Sequence, residues 1–126
     1  MRPFSKDLLS QEMPLQIVSV PTPELGEDVA CYMTELSAEE QDVRLWRTWA
    51  AFRERTKQED NKGFRAFAAI AGLCDKDRKF IYNNGDMEAA AEMLSKKPAK
   101  LVQRLYLAAA QLNGIGDAEI EKIEKN

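Results

Sequence analysis

Ser37-Ala38-Glu39-Glu40 carries the residues of a capping box, and from Ala38 to about Arg55 the chain runs without a glycine or a proline. A serine in the first position of that pattern accepts a hydrogen bond from the backbone N–H three residues on, and the glutamate there reaches back to the serine N–H. The pattern predicts a helix starting at Ala38, and nothing stops it before Arg55. Val43, Trp46, Trp49, Ala50 and Phe52 fall on a broad apolar stripe at helical spacing. Arg44, Arg47 and Arg55 take the polar side, and Glu39, Glu40 and Asp42 in the first turn suit the positive end of the helix dipole. A long helix with so aromatic a stripe has to bury it, so the remaining elements are organised around this one.

Upstream, Leu15–Val20 (LQIVSV) is rich in β-branched residues; Pro21, Pro23 and Gly26 interrupt it, and Asp28–Thr34 (DVACYMT) resumes with Val29, Cys31 and Met33 alternating. This predicts a β-hairpin, which is marginal in isolation and must pack on the helices that follow. Residues 4–13 (FSKDLLSQEM) read as a short helical turn or an arm, with Phe4, Leu8 and Leu9 as its apolar side. Downstream of the polar break TKQEDNKG, a second helix is predicted over Phe64–Cys74, burying Phe67, Ile70, Ala71 and Cys74. A charged turn, Asp75–Lys79, leads to Phe80–Tyr82, a candidate short strand closed by Asn83-Asn84-Gly85. Asp86 is placed as the N-cap of a helix over Met87–Leu94. Pro98 opens another through Gln111, with Leu101, Leu105, Ala108 and Leu112 as its seam, and Asn113-Gly114 ends it by a left-handed cap. Asp117 caps a last predicted helix, Ala118–Lys125. At 126 residues the chain is long enough for a single domain with a real core. The expected class is α+β, mainly α-helical: an N-terminal β-hairpin packed on four or five helices.

The chemistry open to the chain is narrow. It contains no histidine, which removes the side chain that titrates near neutrality, and with it Ser-His and Cys-His nucleophiles and His-containing metal sites. Cys31 and Cys74 are too few and too far apart for a zinc knuckle or a disulfide framework and read as buried thiols. Asp75, Asp77, Asn83 and Asp86 echo the spacing of a calcium loop, but Lys79 and Phe80 occupy the positions that need an oxygen ligand and a glycine. Gly114-Ile115-Gly116 follows a helix rather than a strand and reads as a terminator, not a phosphate loop. Tyr82 and Tyr106 lack a convergent base, and the paired carboxylates Glu39-Glu40 sit where dipole partners belong. No catalytic residue, cofactor or metal is expected, and the chain is not read as an enzyme.

Charge is uneven. Residues 1–42 hold two basic and nine acidic groups, a net of −7, and the remainder is net +4. Seven of the basic groups (Arg44, Arg47, Arg53, Arg55, Lys57, Lys62, Arg65) lie within residues 43–65. An acidic start and a basic centre point to complementarity within the fold or, as the alternative, to head-to-tail attraction between copies. Helical spacing puts the central aromatics on one side and most arginines on another, and the pI is near 5.1, so nucleic acid is not an expected partner. No stretch is apolar enough to span a membrane and the N-terminus lacks a signal-peptide pattern, which leads to an expectation of a cytosolic protein. What remains is surface for a protein partner. The candidate contact residues are Phe4, Leu8, Leu9 and Met13 of the arm, Trp49 and Phe52 of the long helix, and Met87 with Met93. Of the two tryptophans, one is expected in the core and one at a contact.

Read from end to end, the sequence resembles the tail assembly chaperones of long-tailed phages. The matching pieces, in family order, are FSKDLL, the strand ending IVSVPTPELG, the strand leading into YMTELSAEEQD, the central DKDRKFIYNNGDMEAAAEMLS, KPAKLVQRLYLAAAQLNG and the terminal KN. They cover nearly everything from Phe4 to Asn126, and no catalytic signature takes part. One departure is the turn Cys74-Asp75-Lys76-Asp77-Arg78, where relatives often carry a glycine. The resemblance implies a protein of the infected host cytoplasm, absent from the mature virion, that binds the tape measure protein and helps tail tube protein polymerise around it. It also implies a homo-oligomer and a frameshift-extended form. The alternative reading is a structural or packaging oligomer of the phage particle, such as a head-tail joining or small terminase-like component.

Overall fold

The computed structural model describes residues 1–116. The predicted hairpin is present: β1 (Ile17–Pro21) pairs antiparallel with β2 (Ala30–Thr34), with Val18 opposite Met33 and Val20 opposite Cys31. Val29, expected to alternate inward, lies exposed before β2 begins, in the turn where its N–H donates to the Gly26 carbonyl. Gly26 adopts a φ of 147°, and a Cβ there would sit 2.9 Å from Val29 Cγ2, so the turn requires glycine.

A third strand joins the sheet. The helix predicted over Phe64–Cys74 ends at Gly72, and Leu73–Cys74 become β3, antiparallel to β2 with Met33 opposite Leu73. The free edge of β2 needs partners for its backbone groups, and Leu73 and Cys74 supply them. Phe80–Tyr82 do not form a full strand; Phe80 makes a single bridge to Cys74. One sheet face, with Val18, Val20, Cys31, Met33 and Leu73, packs on Ala69, Leu101, Leu105 and Ala109 from two helices, Phe64–Gly72 and Ala99–Asn113.

The capping box forms as read: the Ser37 hydroxyl accepts from the Glu40 N–H at 3.1 Å, and the Glu40 carboxylate accepts from the Ser37 N–H at 2.9 Å. α1 (Ala38–Glu40) then runs through a π-helical stretch, Gln41–Arg47, into α2 (Thr48–Thr56). This stretch corrects the predicted stripe. The wider i→i+5 turn brings residues five apart onto one face, so Arg44 and Trp49 are both buried, Leu45 joins them, and Ala50 faces solvent.

α3 (Phe64–Gly72) is the centre of the fold, with every residue except Arg65 buried. Its alanines let α4 (Met87–Ser95) and α5 (Ala99–Asn113) approach closely, while Phe64 and Phe67 fill the space toward the long helix. Trp49 meets their rings at 5.3 and 5.2 Å between centroids. Asp86 sits at the start of α4 but its side chain makes no cap hydrogen bond, and Pro98 is the N-cap of α5 rather than its first helical residue. The α5 seam is rotated from the expected one: Leu101, Leu105 and Ala109 are buried, Ala108 and Leu112 partly exposed. Gly114 closes α5 at φ 64° as predicted. The helix expected over Ala118–Lys125 lies outside the described residues.

The charge asymmetry is answered inside the fold, though not by the basic centre. Arg78 donates to both oxygens of Glu40 (2.6 and 3.1 Å), to the Thr34 hydroxyl (2.8 Å) and to the Glu35 carbonyl (2.9 Å), which locks the 75–79 turn onto the start of the long helix. Arg78 itself has φ 64°, the left-handed conformation for which glycine is suited; here a four-bonded guanidinium holds a non-glycine residue in it.

Candidate partner-binding surface

The eight residues singled out in the sequence separate into two groups. Trp49 and Met87 are 2% and 0% exposed, so both belong to the core rather than to a contact surface. For Trp49 the cause is the π-helical turn. Met87 opens α4 directly against α3 and has no path to solvent. Trp46 is the more exposed tryptophan, stacked on Phe64 at 5.7 Å. Phe52 is half-buried, packed on Trp49 and Phe67, beside a hollow of about 600 Å³ where Arg55 pairs with Glu88.

The arm residues and Met93 are on the surface. Lys6–Ser10 form a 3₁₀ turn, held by the Leu8 N–H on the Ser5 carbonyl and by the Ser10 hydroxyl on the Asp7 carbonyl. That turn leaves Phe4, Leu9 and Met13 exposed at 69, 80 and 72%, with Leu8 half-buried. Met93, on the outer side of α4, is 58% exposed and stands at the mouth of an apolar cleft of about 350 Å³. Cys31 of β2, Leu73 of β3, Ile70 of α3 and Leu94 of α4 wall the cleft, Leu25 of the hairpin connection and Tyr82 close its sides, and Lys96 and Lys97 after α4 edge it. The lining contains two lysines and no carboxylate. Sequence reasoning missed Leu25, Leu73 and Leu94 as surface formers. Leu25 carried a usable signal, an apolar residue between turn-forming Pro23 and Gly26. Leu73 and Leu94 carried none, because they line the cleft only once the sheet and α4 are assembled.

The hairpin connection is anchored beside the cleft by an ion pair. Arg104 of α5 donates to both Glu24 oxygens at 2.8 Å and to the Pro21 carbonyl at 3.1 Å. The Arg104 hydrogen bond holds the Glu24 pKa down, from 4.5 to about 2. A carboxylate whose pKa is depressed in the folded state contributes stability that is complete above its unfolded value and is lost as pH falls through its folded one. Glu24 therefore contributes above about pH 4.5, and its contribution disappears as the pH drops toward about 2. Glu40, lowered chiefly by Arg78, acts in the same direction. Glu24→Gln is expected to flatten the acid limb of the stability curve between those two pH values, measured by urea midpoints across pH. An acid limb identical to that of the parent chain would show that the pair does not outlast solvent screening.

Cys74 is buried, which pushes its thiol pKa up and keeps it a packing residue; Cys31 is half-buried in the cleft wall with its sulfur 3.6 Å from the Thr22 hydroxyl. Among the described residues no cluster of acidic and cysteine side chains gathers as a metal site would require, and no helix is long and apolar enough to cross a membrane.

Fold and surface together define a small α+β scaffold whose exposed apolar side chains include those of the arm and the cleft mouth, besides Val29, Tyr32, Ile81 and Leu107 elsewhere on the described surface. No protein-family model and no curated protein sequence matches the chain. Its fold is similar to that in the structure of the bacteriophage HK97 tail assembly chaperone, with a TM-score of 0.55 over 89% of this chain and 95% of that one, at 24% sequence identity. At that identity the likeness is one of fold.

Proposed function

We infer that the chain is a tail assembly chaperone of a long-tailed phage. It binds the tape measure protein, keeps it soluble, and promotes polymerisation of the tail tube protein around it. The observation that carries this reading is the fold likeness to the HK97 tail assembly chaperone across 89% of the chain. The order of matching motifs from Phe4 to Asn126 supports it independently. So does the exposure of Phe4, Leu9, Met13 and Met93, because a chaperone of this kind works through apolar surface that an amphipathic partner segment covers. The activity is binding and release, with no reaction and no cofactor. The chain acts as a homo-oligomer beside a frameshift-extended form, in the host cytoplasm, and is left out of the finished virion. Co-expression with the tape measure protein of its own phage is expected to move that protein into the soluble fraction and to co-purify with it. A tape measure protein that stays insoluble and unbound would end the reading, and abundant copies of the chain in purified virions would favour a structural component instead.

A further inference from the structure

We propose that the groove across the starts of α3 and α5 is the docking site for an acidic, amphipathic polypeptide segment of a partner protein. The proposal deepens the chaperone reading and rests on it for the identity of the client, not for the geometry of the groove.

The seven basic groups of residues 43–65 divide by what they touch. Arg44 and Arg53 donate to backbone carbonyls of this chain, and Arg55 pairs with Glu88. Lys62 and Arg65 enter no ion pair among the described residues, and neither does Lys97 after α4. All three are exposed, and they line one hollow of about 520 Å³ whose lining holds no carboxylate. The nearest acid in sequence, Asp60, turns its Oδ1 to the Lys62 backbone N–H at 3.1 Å. Like charges gathered around one hollow repel each other, and a carboxylate placed among them relieves that repulsion. The positive ends of α3 and α5, neither with a side-chain cap or an acid in its first turn, add to the same sign.

The room available favours a polypeptide over a free anion or a nucleic acid. The hollow shares Lys62, Gly63 and Ser95 with the 600 Å³ hollow beside Phe52, so the two form one groove with more space than a phosphate ion fills. Its far half is walled by Phe52, Phe67 and Ala91 and carries Glu92 and the Arg55–Glu88 pair. A run of phosphates would leave the cations of one half only to meet the carboxylates of the other. A segment with carboxylates at one end of its contact and apolar side chains at the other matches both halves. On the basic wall, Gln103 has a buried amide oxygen without a partner. Such an acceptor takes an N–H donor, which a polypeptide carries and an inorganic anion lacks.

The test reads fluorescence anisotropy of a labelled peptide of glutamate and leucine at helical spacing, beside a lysine-and-leucine counterpart. The parent chain is expected to bind the acidic peptide, more weakly as salt rises, and to ignore the basic one. Lys62→Glu with Lys97→Glu is expected to weaken the acidic peptide at least about tenfold. Arg47→Glu with Lys57→Glu makes the same charge change at exposed residues of the basic centre that line neither hollow, and is expected to leave binding unchanged. Because all four residues are exposed, the fold is expected to hold in both variants, which circular dichroism checks. An acidic peptide that does not bind, equal losses in the two double variants, or inorganic phosphate displacing the peptide as well as unlabelled peptide does would overturn the proposal. So would groove variants that keep the peptide but lose self-association in sedimentation, since that would give the groove to a second copy. Solubilisation of the tape measure protein by the same proteins keeps the two ideas apart. If Lys62→Glu with Lys97→Glu rescues it as the parent does, the groove falls and the chaperone reading stands. If the peptide binds as expected but the parent leaves the tape measure protein insoluble, the chaperone reading falls and the groove stands.

Discussion

Replacing Trp49 with alanine is expected to destabilise the fold by about 3–5 kcal/mol, a large part of the stability of a domain this size. The side chain is 2% exposed and touches the rings of Phe52, Phe64 and Phe67 at centroid distances of 5.6, 5.3 and 5.2 Å. Alanine would leave a cavity between the long helix and α3 that α3 cannot relax into, because its other sides already hold α4, α5 and the sheet. Trp46→Ala is expected to cost only about 1–2 kcal/mol, since that ring is partly solvated and stacks on Phe64 alone. Urea unfolding followed by circular dichroism measures both. In thermal scans the Trp49 variant is expected to melt roughly 10–20 °C lower. Equal losses at the two positions would mean that the π-helical turn does not set which tryptophan is inside.

That inversion of the tryptophans marks where sequence reading reached its limit. Local chemistry was legible: the capping box at Ser37 and Glu40, the left-handed stop at Gly114 and the hairpin are each written in a few neighbouring residues. The π-helical segment was not, because its cost is local and its gain is not. Widening the turn lets Arg44 reach backbone carbonyls 27 and 38 positions away. A 3.6-residue periodicity cannot anticipate such partners, and it put Arg44 on the polar side and Ala50 in the core. The end of α3 failed for a related reason, since Leu73 and Cys74 leave the helix to pair with a strand some 40 residues earlier. At the candidate surface, the exposed arm was readable from its composition. The cleft was not, because its walls come from five strand and helix segments, β2, α3, β3, α4 and α5, and of its lining only Met93 reads as a contact residue in the sequence.

Arg44→Ala is expected to cost about 2–4 kcal/mol, and the pattern among variants says why. Arg44 is 7% exposed; its Nε donates to the Ala71 carbonyl at 3.0 Å, Nη2 donates to the Tyr82 carbonyl at 2.9 Å, and the guanidinium lies 3.6 Å over the Phe80 ring. Burial pulls its pKa down, yet arginine starts so high that it stays charged at neutral pH. Alanine removes the donors of two carbonyls and the plane that covers Phe80 in one step. Arg44→Met restores most of the volume but no donor, and Arg44→Lys restores a charge that reaches one carbonyl but lacks the fork for both, so each is expected to recover only part of the loss. A methionine variant as stable as the parent would show that volume alone matters here. The consequence extends to the cleft. Ala71 precedes β3, and Tyr82 forms part of the cleft wall, so losing the arginine frees that wall from the long helix. Amide exchange is expected to speed up at Asp75 and Ile81, whose N–H groups bond the Lys79 and Leu73 carbonyls, while the β1–β2 ladder stays protected. Partner binding should then weaken in step with that local opening rather than with global stability, because a docking wall that is open part of the time reduces apparent affinity by the fraction of time it is closed.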